Sequence, residues 1–388
     1  MRWKVRPKDF VVEELMEIPL RPGGPYTLYR VRKWGRTTLE VQAELAARLG
    51  VPQRAVIFPA LKDRMALAVQ MAGVRGRGPD RLRGPGFEAV RVGEADRPPG
   101  PHDLRGNRFT VRLRALTEAE QERLPRDLKR LAEEGFPNYF DDQRFGSWSP
   151  EGGFLGRFLL LGQAEEVLRR YLTVPTRADS SAVRAFKARA RSLWGDWAAM
   201  FTCAPRPSTY RSLLTFLKDH PAAFRQAVRR IPRRLRILWV DAYRSWLWNL
   251  AVARVFVRYP HQDVTIRGEP FPLPEARPPE AADEVPLPHR RARYGPPWAA
   301  AMAEVLAEEG LPLERFRRGP LLEIAPAPTR RRVWCQPRGL TLLAEGRDSE
   351  GPWALLRFEL PPGAYGTLLL KALAARMDRP ILETGFGF

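Results

Sequence analysis

The residue pattern most able to do chemistry is a lone aspartate, Asp63, with a cation on each side, Lys62 and Arg64. A carboxylate can attack covalently when a neighbouring cation keeps it ionised and a pocket shields it from water. The ordinary alternative is a solvated turn or a local ion pair, which is what such a triplet usually forms. Because Asp63 follows an apolar run, we take it as the candidate nucleophile.

The sequence contains no rival catalytic pattern. It lacks the phosphate-binding loops Gx4GK[ST] and GxGxxG, the nucleophile turn GxSxG and the metal motif HExxH. The histidines and cysteines have no metal-ligand spacing: His102, His220, His261, His289, Cys203 and Cys335. Such scattered positions are typical of structural or surface side chains, so we expect no metal.

The composition favours a polyanionic partner. The 388 residues include 65 Lys and Arg against 44 Asp and Glu, a formal charge of +21 that RNA, DNA or an anionic membrane would offset. An Arg-rich genome or habitat is the alternative explanation. The charged start of the chain, the lack of an apolar run of about 18 residues and the two isolated cysteines predict a cytoplasmic protein without disulfides or membrane spans.

Strands and one helix in the first 150 residues must position Asp63. Residues 4–15 and 26–33 are rich in β-branched and aromatic side chains and predict two strands. A helix should be capped by Thr37 and Glu40 and should end at Gly50.

Residues 108–114 predict a half-buried strand. Phe109, Val111 and Leu113 would point to one face, and Arg108, Thr110, Arg112 and Arg114 would point to the other. We expect this basic face to be open to phosphates.

Residues 154–253 have helical periodicity and contain the densest basic segment. Between Arg184 and Arg236, 13 Lys and Arg residues stand against two aspartates, with aromatic residues interleaved. Such a segment can neutralise phosphates and stack on bases, although helical spacing favours core positions for most of the aromatics. The inward stripe of the last helix should be Trp239, Tyr243, Trp246, Leu247 and Leu250.

Nine prolines in residues 268–297 predict an extended loop or interdomain connection, because proline breaks helices and central strands. A domain boundary near this segment is expected. A short helix at 298–309 and a strand at 353–360, ending in a Leu-Pro-Pro-Gly turn, should follow.

Several segments, in order along nearly the whole chain, resemble the TruD family of pseudouridine synthases. The family pattern KDRxAxTxQ is similar to FPALKDRMALAVQ (58–70), and PEDFxVxE is similar to PKDFVVEE (7–14). Further family elements are similar to KWGRTT (33–38), GNRF (106–109), NYFDDQRFG (138–146), AYRSWLWN (242–249) and LPPGAYGT (360–367). Each motif alone is weak, and their common order makes the resemblance specific.

The resemblance implies an α/β (α+β) fold. A catalytic domain with a mostly antiparallel sheet would comprise residues 1–150 and 329–388, and a mixed α/β TRUD insertion would comprise 151–328. The implied activity is that of a tRNA pseudouridine synthase, an isomerase that needs no cofactor and modifies position 13 in the D arm. It would act as a monomer without a protein partner. Its tRNA would lie between the two domains, gripped by residues 184–236.

The resemblance also implies which residues line a uridine pocket: Phe10, Asn107, Phe109 and Tyr365. A base must leave its stack to be reached, so aromatic faces and a polar side chain suit this task. From the residues alone, the aromatics could equally belong to the core, and Asn107 could hold a turn.

The catalytic role implied for Asp63 requires a cation that keeps its carboxylate ionised. Lys4 matches the basic residue that the family carries near its catalytic aspartate, and Lys62 or Arg64 could fill that role instead. Glu14 matches a family glutamate that should organise structure rather than take part in chemistry.

Three departures from the family pattern affect a turn, a hydroxyl and an aromatic ring. Asp141 stands where the family has Gly, which puts a turn in doubt. Ala68 replaces Thr and removes a hydroxyl, and Tyr365 replaces Phe but keeps a ring for stacking.

Two other functions are compatible with the composition. A non-catalytic RNA-binding protein or RNA chaperone on the same scaffold would have the same basic charge and aromatics. An aspartate-dependent nucleotide hydrolase is a third possibility, which would lack the long basic insertion. Asp63 discriminates the catalytic from the non-catalytic alternative.

Overall fold

The chain divides into two units. The computed structural model describes residues 1–62, 64, 66–176, 179–206, 208–317, 321–322, 325–377 and 382–383, the last two by their backbone. Unit 1 consists of Met1–Phe136 and Cys335–Phe388, and unit 2 of Pro137–Trp334. The insertion limits 151–328 stay a prediction. Within the described ranges, no helix is long and apolar enough to cross a bilayer.

Strands and helices are numbered in chain order. The strands are β1 (Arg2–Trp3), β2 (Phe10–Met16), β3 (Tyr26–Lys33), β4 (Val56–Ile57), β5 (Leu67–Arg75), β6 (Arg81–Gly84), β7 (Phe87–Ala95), β8 (Leu104–Leu113), β9 (Phe136–Pro137), β10 (His261–Ile266), β11 (Glu269–Pro274), β12 (Glu284–Pro286), β13 (Arg330–Arg332), β14 (Trp334–Cys335), β15 (Arg338–Asp348), β16 (Gly351–Leu360) and β17 (Leu382–Glu383). The helices are α1 (Thr38–Leu49), α2 (Glu118–Glu134), α3 (Leu155–Leu161), α4 (Ala164–Thr173), α5 (Ser181–Ser192), α6 (Trp197–Cys203), α7 (Thr209–Asp219), α8 (Phe224–Arg230), α9 (Arg233–Phe256), α10 (Trp298–Glu308) and α11 (Gly366–Arg376).

A nine-stranded sheet forms the framework of unit 1. Its order is β15-β16-β8-β2-β5-β3-β7-β6, and β4 pairs with one end of β5. The β2 and β5 strands run parallel, whereas the other neighbours run antiparallel. The predicted α/β class with a mostly antiparallel sheet is therefore confirmed. Both ends of the chain build this sheet, because β15 and β16 follow unit 2 in sequence.

Local sequence signals place β3 and α1 as predicted. The Thr37 hydroxyl accepts from the backbone N–H of Glu40 at 3.2 Å, and the Glu40 carboxylate accepts from the backbone N–H of Thr37 at 2.6 Å. Gly50 ends the helix with a left-handed φ of 65°. Val41 and Leu45 of α1 are fully buried in the cluster that also contains side chains of β3, β5 and β7.

The first long strand is shorter than predicted. Only its second half forms β2, because Pro7–Asp9 makes a 3-10 turn before Phe10. Pro7 suits the start of such a turn, since its φ is fixed and it has no N–H to satisfy. Lys4 precedes the turn with a left-handed φ of 56°, a conformation that is uncommon outside glycine and typical of constrained sites.

The prediction that β8 has an open basic face is wrong. The alternation is correct in that the apolar side chains are buried, but the arginines have partners. Arg114 is 2% exposed and donates to Asp9 at 2.9 and 3.0 Å and to Asp348 at 3.0 Å. Arg108 donates to Glu359 at 2.9 Å. These carboxylates occupy the donors that phosphates would need.

Helices dominate unit 2 between residues 154 and 256, as the periodicity predicted. Four members of the predicted α9 stripe are buried, and Leu250 is half-buried. In the basic segment, Phe186 and Trp197 are buried, whereas Trp194 and Phe216 are half-buried. The aromatics of this segment therefore pack between helices, as their spacing indicated.

The proline-rich segment was predicted as a loop, and this is wrong for β11. The strand pairs antiparallel with β10, placing Pro270, Pro272 and Pro274 opposite Thr265, Asp263 and His261. Successive residues of a strand direct their N–H groups to opposite sides. Prolines at alternate positions therefore all fall on one side, which leaves the ladder on the β10 side intact.

Two of the family-like motifs dock on each other in unit 2. The Asn249 side chain accepts from the backbone N–H of Phe140 and donates to its carbonyl, both at 2.8 Å. Arg331 donates to the carbonyl of Asn138 at 2.7 Å and lies 4.0 Å from the centre of the Phe140 ring. Asp141 has an extended backbone with φ −99°, so replacing the family's Gly strains nothing there.

Arg114→Met should lower the free energy of unfolding of unit 1 by about 3–5 kcal/mol, because it leaves the buried Asp9 carboxylate without its counter-ion. Arg105→Met at the start of β8 removes only an exposed pair with Glu17 and should cost less than about 1 kcal/mol. Urea unfolding followed by tryptophan fluorescence measures both. Equally small effects would show that the buried pair adds no stability.

Candidate active site

The loop between β4 and β5 carries the candidate nucleophile. Asp63 itself lies outside the described residues, but the chain just before it is held at two points. The Ala60 carbonyl accepts from Nε2 of Gln70 at 2.8 Å, and the backbone N–H of Lys62 donates to the Thr38 hydroxyl at 3.0 Å. A strand residue and the first residue of α1 thus fix the approach to Asp63.

The chain is also held immediately after Asp63. Nε of Arg64 donates to the carbonyl of Gly35 at 3.1 Å, and its guanidinium lies 3.9 Å from the Glu40 carboxylate. The Arg64 side chain is 59% exposed. Its contacts are with the turn before α1 and with the first turn of that helix, so it braces the loop from the solvent side.

A buried carboxylate lies at the centre of the polar contacts beneath this loop. The Glu14 side chain has no exposed surface and accepts from Nε2 of Gln70 at 3.1 Å and from the backbone N–H of Met71 at 3.2 Å. Nζ of Lys62 lies 3.3 Å from the same carboxylate. The Thr38 hydroxyl donates to Oε1 of Gln70 at 2.9 Å, which fixes the orientation of that amide.

The sheet register brings Asn107 into the same group. Glu14 of β2 is directly opposite Asn107 of β8, so both side chains project from one face of the sheet. Nζ of Lys62 donates to Oδ1 of Asn107 at 2.6 Å. Asn107 is thus in contact with Lys62, the residue that immediately precedes the candidate nucleophile Asp63.

Aromatic rings continue along this face. Phe10 and Phe109 have ring centres 5.9 Å apart, and each has a further ring neighbour, Trp3 at 5.4 Å and Phe358 at 5.1 Å. Nζ of Lys4 lies 4.6 Å from the centre of the Phe10 ring, and Lys4 is only 5% exposed. A buried ammonium above an aromatic face is stabilised by the ring's negative π surface.

The turn that carries Tyr365 approaches this face at the start of α11. The Tyr365 carbonyl accepts from the backbone N–H groups of Leu368 and Leu369, at 3.1 and 3.3 Å, and this residue is half-buried. The next residue, Gly366, packs so closely that a Cβ atom there would lie 2.7 Å from the Phe109 ring. Only glycine allows the turn to approach Phe109 in this way.

A salt bridge anchors the chain where it enters β8. Asp103 accepts from both the Arg97 guanidinium, at 2.7 Å, and the backbone N–H of Gly100, at 2.8 Å. The hydrogen bonds from Arg97 lower the pKa of Asp103 to about 2. The carboxylate is therefore ionised at neutral pH and holds the turn four residues before Asn107.

Most of the predicted site residues meet on one face of the sheet. Lys62 contacts Asn107, Lys4 contacts Phe10, and Phe10 contacts Phe109. The Arg64 side chain instead contacts Gly35 and Glu40. Among the described residues, no group of three or more His, Cys, Asp or Glu side chains could hold a metal ion.

Sequence reasoning assigned no role to Thr38 and Gln70. Both occur in the quoted motifs, and both are polar residues, 2% exposed, at positions where apolar side chains would be expected. That pattern was the available signal, because a buried polar group needs partners. An aromatic face beside an amide and buried cations can hold a flat polar ring and keep a nearby carboxylate ionised.

Comparisons with known proteins agree with the motifs. The family model described as tRNA pseudouridine synthase D (TruD) matches residues 1–285. The tRNA pseudouridine synthase D of Aquifex aeolicus is 28% identical over 96% of this chain and 98% of its own length. A probable tRNA pseudouridine synthase D of Methanopyrus kandleri is 30% identical over 93% and 89%. A solved TruD structure from Methanosarcina mazei has the same fold, with a TM-score of 0.69 and 22% identity, over 96% of this chain and 92% of that one.

Glu14→Gln should lower the free energy of unfolding by about 3 kcal/mol, because it keeps the side chain's shape but removes the charge opposite the mostly buried Lys62. Glu13→Gln is the matched control. The Glu13 carboxylate pairs with Arg30 and Arg108 at the surface, so its loss should cost less than about 1 kcal/mol. Thermal and urea unfolding measure the two variants. A loss no larger for Glu14→Gln than for the control would contradict this account of the buried charge.

Proposed function

The chain belongs to the tRNA pseudouridine synthase D family, and from this premise we propose that it converts uridine to pseudouridine in tRNA with Asp63 as the nucleophile. The observation that carries the proposal is the fixing of the loop around Asp63 by Gln70, Thr38 and Gly35. Polar contacts thus hold the chain on both sides of this one aspartate, partly buried before it and exposed to solvent after it. As its target we propose uridine 13 in the D arm.

The reaction is an isomerisation and needs no external reagent. The bond between C1′ of the ribose and N1 of uracil breaks, the base turns while bound, and a bond forms between C1′ and C5. C5 loses its proton and N1 gains one, so the atoms balance. Attack of the carboxylate on the sugar, attack on the base and a glycal route all use an ionised aspartate at this position.

The three cations are proposed to have different roles. Lys62 is already engaged by Glu14 and Asn107, so it positions rather than activates. Arg64 braces the loop from outside. Lys4 is buried above Phe10 with a left-handed backbone, and we assign to it the task of keeping Asp63 ionised.

The proposed uridine pocket combines aromatic faces with one amide. Phe10, Phe109 and Tyr365 would contact the faces of the flipped base, and Asn107 would bind its polar edge. The close approach of Gly366 to Phe109 supports this, because it brings the Tyr365 turn onto the ring. Pocket and core functions are not exclusive for Phe109, which also stacks on Phe358.

Unit 2 is proposed to hold the tRNA backbone, with the protein acting as a cytoplasmic monomer without a cofactor. Support comes from arginines at the start of α8 and at the start of α9. Arg225, Arg233 and Arg234 are exposed and form no ion pair within the described part of the chain. Exposed guanidinium groups without acidic partners can bind phosphates.

Asp63→Asn should abolish pseudouridine formation while leaving tRNA binding intact, because it removes the ionised carboxylate and keeps its shape. Pseudouridine mapping on unmodified tRNA transcripts, incubated with the wild type or the variant, measures this. Product from the wild type alone supports both the activity and the nucleophile. Equal product from both would remove Asp63 from its role. Tight, salt-sensitive binding without product on any tRNA would favour the non-catalytic RNA-binding alternative.

Replacing Arg225, Arg233 and Arg234 together by Gln should weaken tRNA binding and reduce the slope of log affinity against log salt by up to about 3, roughly one for each lost phosphate contact. The matched control replaces three arginines that have acidic partners, namely Arg83, Arg105 and Arg130. Filter binding at several salt concentrations measures both triple variants. An unchanged slope in the first variant would exclude this surface from backbone binding.

A further inference from the structure

The contact between Lys62 and Asn107 fixes which end of the Asn107 amide is free. An ammonium group has donors and no acceptor, so the amide atom that faces Nζ of Lys62 at 2.6 Å must be the oxygen. The NH2 group of Asn107 therefore points away from Lys62. This conclusion depends on the chemistry of lysine and holds however the amide is assigned.

Lys62 is held firmly enough to enforce that orientation. Its side chain is 13% exposed, and the carboxylate 3.3 Å from Nζ, that of Glu14, is fully buried. Glu14 is in turn held by Gln70 and by the backbone N–H of Met71. If Lys62 swung away, a buried carboxylate would lose its counter-ion, so the ammonium stays in place.

The NH2 group of Asn107 has no hydrogen-bond acceptor among the described residues. The oxygen of the same amide, by contrast, accepts from Nζ of Lys62. Asn107 is 8% exposed, and it projects from the same face of β8 as Phe109, two residues further on. A pair of N–H donors is thus presented beside the aromatic ring that we assign to the uridine pocket.

We propose that Lys62 locks the Asn107 amide as a donor to a uracil carbonyl, both before and after the base turns, and that this lock excludes cytosine. The proposal rests on the proposed function and adds how the same site selects its base. Lys62 is here a positioning residue, since it acts through Asn107.

The geometry of uracil makes one donor suitable for both stages. Turning the free base by half a turn about the axis through N3 and C6 exchanges N1 with C5, which the isomerisation requires. The same turn exchanges O2 with O4 and leaves N3–H in place. A donor bound to one carbonyl before the turn therefore meets the other carbonyl afterwards, without any rearrangement of the protein.

Cytosine cannot satisfy the same donor twice. It has a carbonyl at position 2 but an amino group at position 4, so in one of the two orientations the NH2 of Asn107 would face another donor. A buried donor without an acceptor is costly, and such mismatches discriminate more strongly than small differences in shape. An amide free to rotate could turn its oxygen towards the amino group, which is why the lock matters.

Thio substitution of the target base tests the donor. Transcripts would carry uridine, 2-thiouridine or 4-thiouridine at the position where the wild type forms pseudouridine, because sulfur is a weaker acceptor than oxygen. In single-turnover assays with wild-type protein, each thio transcript should react about tenfold more slowly than the uridine transcript. Asn107→Ala should react slowly with all three at nearly equal rates. A penalty confined to one thio transcript, or one that survives in Asn107→Ala, would overturn the proposal.

Variants at Lys62 test the lock. Lys62→Arg keeps a donor-only cation and should retain the tenfold thio penalty, whereas Lys62→Met should lose most of it as the amide becomes free to rotate. Lys129→Met, an exposed lysine on α2, is the control and should behave as wild type. A role in folding alone would lower all rates without changing their ratio, so an unchanged ratio in Lys62→Met would overturn the lock. Failure of the wild type to form pseudouridine on plain uridine would instead refute the proposed function.

Discussion

The candidate site depends on a carboxylate that has no exposed surface. Glu14 is fully buried, and a buried charge is tolerated only when a counter-ion and hydrogen bonds replace the lost water. That requirement draws in Lys62 and Gln70, and each of these then fixes something else. Gln70 holds the loop at Ala60, and Lys62 holds the amide of Asn107. One charge therefore organises both the loop and the polar side of the proposed pocket.

The sheet makes this arrangement possible through its strand order. The parallel pairing of β2 with β5, in a sheet that is otherwise antiparallel, sets Glu14 beside Gln70. The antiparallel pairing of β2 with β8 sets Glu14 opposite Asn107. Aromatic side chains of β2, β8 and β16 continue along the same face because side chains alternate along each strand. The polar and the aromatic side chains of the site thus lie on the same face of the same strands.

The large basic charge of the chain is used in two ways. In unit 1, Arg114 is buried against Asp9, Arg108 pairs with Glu359, and Arg112 stacks 3.9 Å from the centre of the Trp353 ring. These arginines support the sheet. In unit 2, Arg225, Arg233 and Arg234 are exposed and form no ion pair with a carboxylate among the described residues, so they are suited to phosphates. Net charge predicted a polyanionic partner but not which arginines would be free to bind it, because pairing depends on which carboxylates fold beside them.

The sequence by itself determined the elements whose signals are local. The capping box of Thr37 and the left-handed Gly50 fixed α1, since a helix end is satisfied by residues within one turn. The content of β-branched and aromatic residues predicted β3, alternation predicted the apolar face of β8, and helical spacing predicted the buried face of α9. The family motifs also named most residues of the candidate site. The motifs could identify these residues because a motif specifies the residue type at each position. It does not specify which atoms those side chains contact.

Only the tertiary structure decided which partners meet across long separations. Lys62 could have faced Asp63, solvent or Glu14, and 45 residues separate it from the Asn107 that it contacts. The alternating pattern predicts a surface position for Arg114. In the folded protein, Asp9, which is 105 residues away in sequence, packs against it and buries it. Likewise, the prolines of β11 are compatible with a strand only because all three fall on the side away from β10. In each case the deciding energy is that of burying a polar group or leaving it unpaired, and that energy is set by neighbours that the chain supplies only when it folds.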